Sequence, residues 1–229
     1  MLNKIKQLFH INRKIEELEQ NHINSYSFNI LSAFLDSQKF IPFTSWSISP
    51  SGLLHIINYI TINQPKVVVE FGSGITTFYI SELIKKNNLV TKFYSVDHDE
   101  QWIEIVKKNL DNDITNFILA PLSQKKTLNK HFFNWYDENI LNQNLDKKEV
   151  ELIIIDGPPG EIPFSRAGAF QYFSEQIKTE SLTYFLDDSN RDIEKEIIKL
   201  YGVNNKNYFD YSIGGKKLLY DCSPIVYSK

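Results

Sequence analysis

The spacing of hydrophobic positions changes character once along the chain, near residue 66. Before that point the period is helical. Leu2, Ile5, Leu8, Phe9, Ile15 and Leu18 recur every three or four residues, with Lys4, Lys6, Arg13 and Lys14 among them and Glu16, Glu17 and Glu19 following, which predicts an amphipathic helix. The acidic residues dilute its basic face, so packing on its own domain or on a second subunit, as a homodimer, is favoured over a membrane surface. A second helix is expected over residues 27–35, then a loop over 40–50. Ser49 and Pro50 open a third helix running to about residue 62: serine offers an oxygen to orphan N–H groups, and proline is tolerated in the first turn. Residues 1–62 thus form a helical extension or lid, and 63–229 a second unit.

From residue 66 short β-rich apolar runs alternate with helical patterns, as in parallel βαβ units. Strands are predicted over 66–71, 92–97, 116–120, 150–156 and 182–187, and helices over 75–87, 100–110, 164–178 and 191–201. Residues 208–213 and 216–222, flanking Gly214-Gly215, read as an antiparallel hairpin closing the sheet edge. In the polar insert 123–149, His131, Phe132, Phe133, Trp135 and Tyr136 read as the packing stripe of a helix. The expected fold is α/β: a doubly wound, seven-stranded, mostly parallel Rossmann-like sheet with an antiparallel last strand, preceded by N-terminal helices.

Composition narrows the class. With 229 residues, 42% hydrophobic and 23% charged, the chain can bury one large core and is not a disordered or fibrous sequence. A net charge of −3 and a pI near 6.0 give no footprint for nucleic acid. Cys222 is the only cysteine, which excludes an internal disulfide and fits a cytoplasmic address. The longest aliphatic runs, 67–69 and 152–155, are far short of a membrane span. The first twenty residues carry too many charges for a signal-peptide core and read as mature protein.

Chemistry concentrates where the predicted strands end. The first strand leads into a glycine loop and then a helix, VVVEFGSGITTFYI, where open α/β sheets bind ligands. Gly72 and Gly74, with Ser73 between them, permit positive φ and close backbone approach, and helix-opening amides face whatever docks there. Glu70 places a carboxylate at the mouth of this pocket. It would repel a dinucleotide's pyrophosphate and attract an ammonium. Thr77 also stands where a dinucleotide fingerprint wants glycine or alanine, so an NAD-dependent oxidoreductase is the weaker reading. Asp97 ends the second strand, where a carboxylate accepts hydrogen bonds from ribose hydroxyls, and Asp99 reads as the next helix's N-cap. Asp156, Asp187 and Asp188 end two further strands at the same edge. Arg166 either binds an acidic acceptor or pairs with a carboxylate.

At these residues the chain resembles the class I S-adenosylmethionine-dependent methyltransferases. Their glycine-loop motif falls on Glu70, Gly72, Gly74 and Thr76, with threonine in place of the third glycine, and their ribose-binding acid falls on Asp97. The resemblance covers residues 66–222 and implies S-adenosylmethionine as cofactor. The three aspartates resemble those holding magnesium in metal-dependent O-methyltransferases of the catechol and caffeoyl-CoA type, which implies a Mg2+ ion on Asp156, Asp187 and Asp188. The segments WSISP, EFGSG, WYD, DGPPG and DDSNR look closer to a bacterial methyltransferase group with uncharacterised or sugar-related acceptors. The activity implied is methyl transfer to a hydroxyl of a small molecule or sugar, with Asp156 as metal ligand or as metal-free general base. In DGPPG a glycine separates the acid from the prolines and no aromatic follows, which disfavours methylation of a flipped base. The alternative from another class is a non-catalytic module that uses the fold for protein interaction.

Overall fold

Strands rich in valine, isoleucine and aromatic residues on both faces need cover on both faces, and the chain supplies it. The computed structural model describes residues 2–34, 43–44, 46–110, 113–126, 129–178, 182–189, 191–201, 211–213, 216–218 and 226–228. Helix α1 (Leu2–Phe34) and helix α2 (Pro50–Asn63) precede strand β1 (Val67–Phe71). There follow α3 (Ile75–Lys86), β2 (Lys92–Asp97), α4 (Glu100–Asn109), β3 (Thr115–Leu119), β4 (Leu122–Lys126), β5 (Phe132–Tyr136) and α5 (Glu138–Asn144). The chain continues through β6 (Leu152–Ile155), α6 (Ala167–Tyr172), α7 (Ser174–Lys178), β7 (Thr183–Leu186) and α8 (Asp192–Leu200) to β8 (Tyr211–Ile213), β9 (Lys216–Leu218) and β10 (Val226–Ser228). No described helix is long and apolar enough to cross a membrane.

The main sheet has the order β10-β7-β6-β1-β2-β3, with β7, β6, β1, β2 and β3 parallel and β10 antiparallel to β7. The order reverses beside β1, because β2 lies on one side of it and β6 on the other. The period of two sorts each strand's side chains between two cores. Val69, Phe71, Ile153, Ile155 and Tyr184 join the β4–β5 ribbon, α6 and α8 on one face. Val68, Leu152, Ile154 and Phe185 join α2, α3 and Leu31 of α1 on the other. Helix α2 is thus part of the sheet's own core, and the buried Tyr59 hydroxyl donates to Thr183 Oγ1 of β7 at 2.7 Å.

Five expectations change. Six strands rather than seven form the main sheet among the described residues, and its antiparallel edge is β10. The hairpin expected there exists as β8 and β9, which among the described residues pair with each other and not with the main sheet. Its Gly214-Gly215 turn lies outside the described residues, as does Cys222. The two N-terminal helices are one, since no proline or glycine interrupts residues 2–34. The aromatic cluster expected on a helix is strand β5: Phe133 and Trp135 alternate inward while Phe132 and Asn134 face out. Trp135 and Tyr136 flank the Phe71 ring at 4.9 and 5.6 Å between centroids. Finally, the helix expected over 164–178 breaks into α6 and α7 at buried Phe173.

Gly168 of α6 lies flat against the Trp135 indole, and a Cβ there would overlap the ring. Gly168→Ala should therefore lower stability by about 1–3 kcal/mol, the usual cost of overpacking, measured as a reduced unfolding midpoint in urea.

Candidate functional site

Beyond the carboxyl ends of β1, β2 and β6 a cleft of about 480 Å³ opens, at the point where strand order reverses and open α/β sheets bind ligands. Its floor depends on two glycines. Gly72, at φ 98°, occupies the left-handed region that favours glycine. A Cβ there would come within 2.8 Å of Gly157 N, and one on Gly157 within 2.9 Å of Gly72 Cα. The Gly157 N–H donates to Phe71 O at 2.6 Å. The loops leaving β1 and β6 thus meet backbone to backbone. Gly74 differs from the expectation of positive φ, since its φ of 173° is extended backbone. A Cβ there would meet nothing within 4 Å, so contacts inside the protein do not require glycine at this position.

Glu70 lies under the loop instead of at the cleft mouth. Its parity in β1 matches Val68, so it faces α3 and is fully buried. Thr77 Oγ1 and Ser95 Oγ donate to Glu70 Oε2 at 2.6 and 2.7 Å. Thr77 Oγ1 also accepts from the Gly74 N–H at 2.9 Å, and Ser73 Oγ lies 2.8 Å from Ser95 Oγ. This network holds the loop from below. Glu70 Oε1 is buried without a hydrogen-bond partner. Burial pushes the carboxyl up to about 8, against those two hydroxyl donors. Thr76 is buried in the first turn of α3 and does not line the cleft.

Asp97 does line it. Its Oδ2 accepts the Ser73 N–H at 2.9 Å, and Oδ1 accepts those of His98 and Asp99 at 2.7 and 3.0 Å, so one carboxylate sets both the loop and the turn after β2. Asp99 caps α4 as expected, accepting from Trp102 N at 3.0 Å. The Trp102 indole N–H donates to Ser73 O at 2.7 Å. Four aromatic lining residues escaped the sequence reading: His98, Trp102, Tyr136 and, from the loop before α2, Trp46. His98 Nδ1 lies 3.1 Å from Asp97 Oδ1, and that neighbouring carboxylate raises the imidazole above its usual range. Position was the available signal for His98, since it follows directly on a strand-ending acid.

The three aspartates after β6 and β7 do come together, around a cation the protein itself supplies. Arg166, its side chain only 4% exposed, donates through Nη2 to Asp156 O and through Nη1 to Asp187 O, both at 2.7 Å. Its guanidinium also lies 3.4 Å from Asp156 Oδ1, 3.2 Å from Asp188 Oδ2 and 4.0 Å from Glu194 Oε1. Arg166 therefore pairs with carboxylates, the second of its two expected roles. Asp188, at φ 55°, also pairs with Arg191 at 2.9 Å. The expected magnesium triad does not fit this arrangement: the Arg166 guanidinium already sits among these carboxyl groups, and a divalent ion would meet like charge. Among the described residues no three His, Cys, Asp or Glu side chains group so as to hold a metal. Asp156 and Asp187 hydrogen-bond each other; burial, then Asp187's charge, raises Asp156 well above the carboxylate range, and burial lifts Asp187 to about 6.

No family model matches the chain, and no curated protein does. Among the solved structures that are similar are two whose descriptions name a methyltransferase. One is the SAH-bound Podospora anserina methyltransferase PaMTH1, at 15% identity and TM-score 0.44, covering 72% of this chain and 62% of that one. The other is a Thermobifida fusca YX protein described as a candidate methyltransferase, at 16% identity and TM-score 0.38, covering 65% of this chain and 56% of that one. The chain thus spans less than two thirds of either. Likeness of this size assigns neither family nor activity, and the functional reading rests on the site itself.

Two measurements test these assignments. The folded state holds a proton on Glu70 between about pH 4.5 and 8 that the unfolded chain releases, so this group makes stability fall as pH rises through that window, by at most about 1.4 kcal/mol per pH unit. Glu70→Gln should flatten that slope in urea titrations across the window. Arg166→Met strands buried carboxylates and should cost about 3–5 kcal/mol, seen as a large drop in the thermal midpoint.

Proposed function

We propose that the chain is an S-adenosylmethionine-dependent methyltransferase acting on a hydroxyl of a small molecule or sugar. The observation that carries the reading is the make-up of the cleft. Asp97, Asp99, Asp156 and Glu161 line it together with Trp46, Trp102 and Tyr136, so acids and aromatic faces surround a space at the strand-order reversal. Such a lining suits an organic cation with a flat ring and a diol. It disfavours a pyrophosphate, which would face several carboxylates.

The residues fit the cofactor on structural grounds. Gly74 lines the cleft, and the space its missing Cβ leaves is filled by no protein atom, as close approach of a ligand to backbone requires. The loop at Gly72, Ser73 and Gly74 would hold the amino-acid end, with Glu70 and Thr77 supporting it from beneath, and Asp97 would hold the ribose hydroxyls. When bound, S-adenosylmethionine supplies an electrophilic methyl group.

Asp156 lines the cleft and keeps 18% side-chain exposure. It takes the acceptor's proton while its own proton passes to Asp187, leaving both carboxyls neutral. Arg166 holds the two strand ends in register for that transfer and is not among the residues that line the cleft. No step calls for a metal ion.

Calorimetry with S-adenosylhomocysteine tests the reading. Binding is expected, weakened about ten- to a hundredfold in Asp97→Ala through lost hydrogen bonds to a charged group. Gly74→Ala should weaken binding with an unchanged unfolding midpoint. Absence of binding to the wild-type chain, or binding of NAD in its place, overturns the proposal.

A further inference from the structure

Helix α1 is two things in sequence. Its second half is anchored: Gln20 Nε2 donates to Ser51 Oγ at 3.3 Å, Asn24 Oδ1 accepts the Ser51 N–H at 3.3 Å, and Leu31 enters the core beside α2. Residues 4–19 are all exposed and form an arm about 24 Å long at 1.5 Å per residue. A helix this short is marginal alone, but here the docked half nucleates it.

The arm carries a narrow apolar seam. Leu8, Ile11, Ile15 and Leu18 follow a 3-4-3 spacing and are 59%, 51%, 48% and 67% exposed. At 100° per residue they fall within an arc of about 80°, the width of a two-stranded coiled-coil seam and less than a surface-lying helix needs. Ile5 and Phe9 lie off this seam, in the sector that also holds Glu16 and Glu19, so acidic side chains interrupt any wider face that a membrane would accept.

Charge selects the partner and its direction. Arg13 and Glu17 face away from the seam and satisfy each other at 3.2 Å. Lys14 and Glu19 flank the seam on opposite sides, five residues apart. In a parallel pair of identical helices, Lys14 of one strand faces Glu19 of the other, twice by symmetry. In an antiparallel pair with the same seam, Lys14 would face Lys14. We infer that the N-terminal arm pairs two copies of this chain as a parallel two-stranded coiled coil through Leu8, Ile11, Ile15 and Leu18.

Multi-angle light scattering of the full chain at micromolar concentration should give twice the 26.8 kDa chain mass. Ile15→Glu should give monomer with unchanged helix content by circular dichroism. Lys14→Glu should weaken association about tenfold by setting glutamates against each other, and Lys14→Glu combined with Glu19→Lys should restore it. A monomeric wild type overturns the inference, and so does an Ile15→Glu variant that stays dimeric. A dimer that the double reversal fails to rescue overturns the parallel pairing. A monomer that instead sediments with phosphatidylcholine–phosphatidylserine vesicles assigns the arm to lipid and likewise overturns it.

Discussion

Two glycines in backbone contact set the geometry of this molecule. Parallel strands with the order reversed beside β1 leave a crevice between β1 and β6, and what can bind there depends on how closely the two departing loops approach. Gly72 and Gly157 close that distance to van der Waals contact and below what any side chain permits. The floor of the cleft is therefore peptide backbone, with Asp97 on one flank, Asp156 on the other and the Tyr136 hydroxyl packed against Gly157.

Two buried polar groups hold that crevice open, and they work by opposite means. Under the glycine loop a carboxyl is kept in a dry site where its neutral form is favoured, and hydroxyls from α3 and β2 tie it to the turn. Beside the crevice a guanidinium collects main-chain carbonyls and carboxylates from the ends of β6 and β7. Buried charge is expensive unless paired and hydrogen-bonded, and the Arg166 cluster meets that condition with groups the chain already carries at its strand ends. The same pairing leaves Asp156 next to a carboxyl partner, which favours a shared proton over two full charges.

Much of this was legible in local sequence. The caps at Ser49 and Asp99, the five parallel strands and the loop that ends β1 all follow from neighbours within a few positions. Glu70 was placed correctly along the chain but with the wrong surroundings: it is the penultimate residue of β1, and in a strand covered on both faces such a side chain points into a helix layer before it can reach an open edge. In ribbon strand β5 five aromatic residues close together hide an alternation of period two, so the local pattern reads as a helix. For Arg166 a carboxylate partner is one of two roles the sequence offers, and nothing local says which role or which partner it takes. Its partners lie ten to twenty-eight positions away, and only the parallel stacking of strand ends brings them together.

The placement of tryptophan gives the molecule built-in optics. Of its three indoles, Trp46 and Trp102 line the cleft, while Trp135 is sealed in the aromatic core beneath it. Near-ultraviolet emission therefore carries two separable signals. Quencher-accessible light from Trp46 and Trp102 reports what occupies the cleft, and protected light from Trp135 reports whether the fold under it is intact.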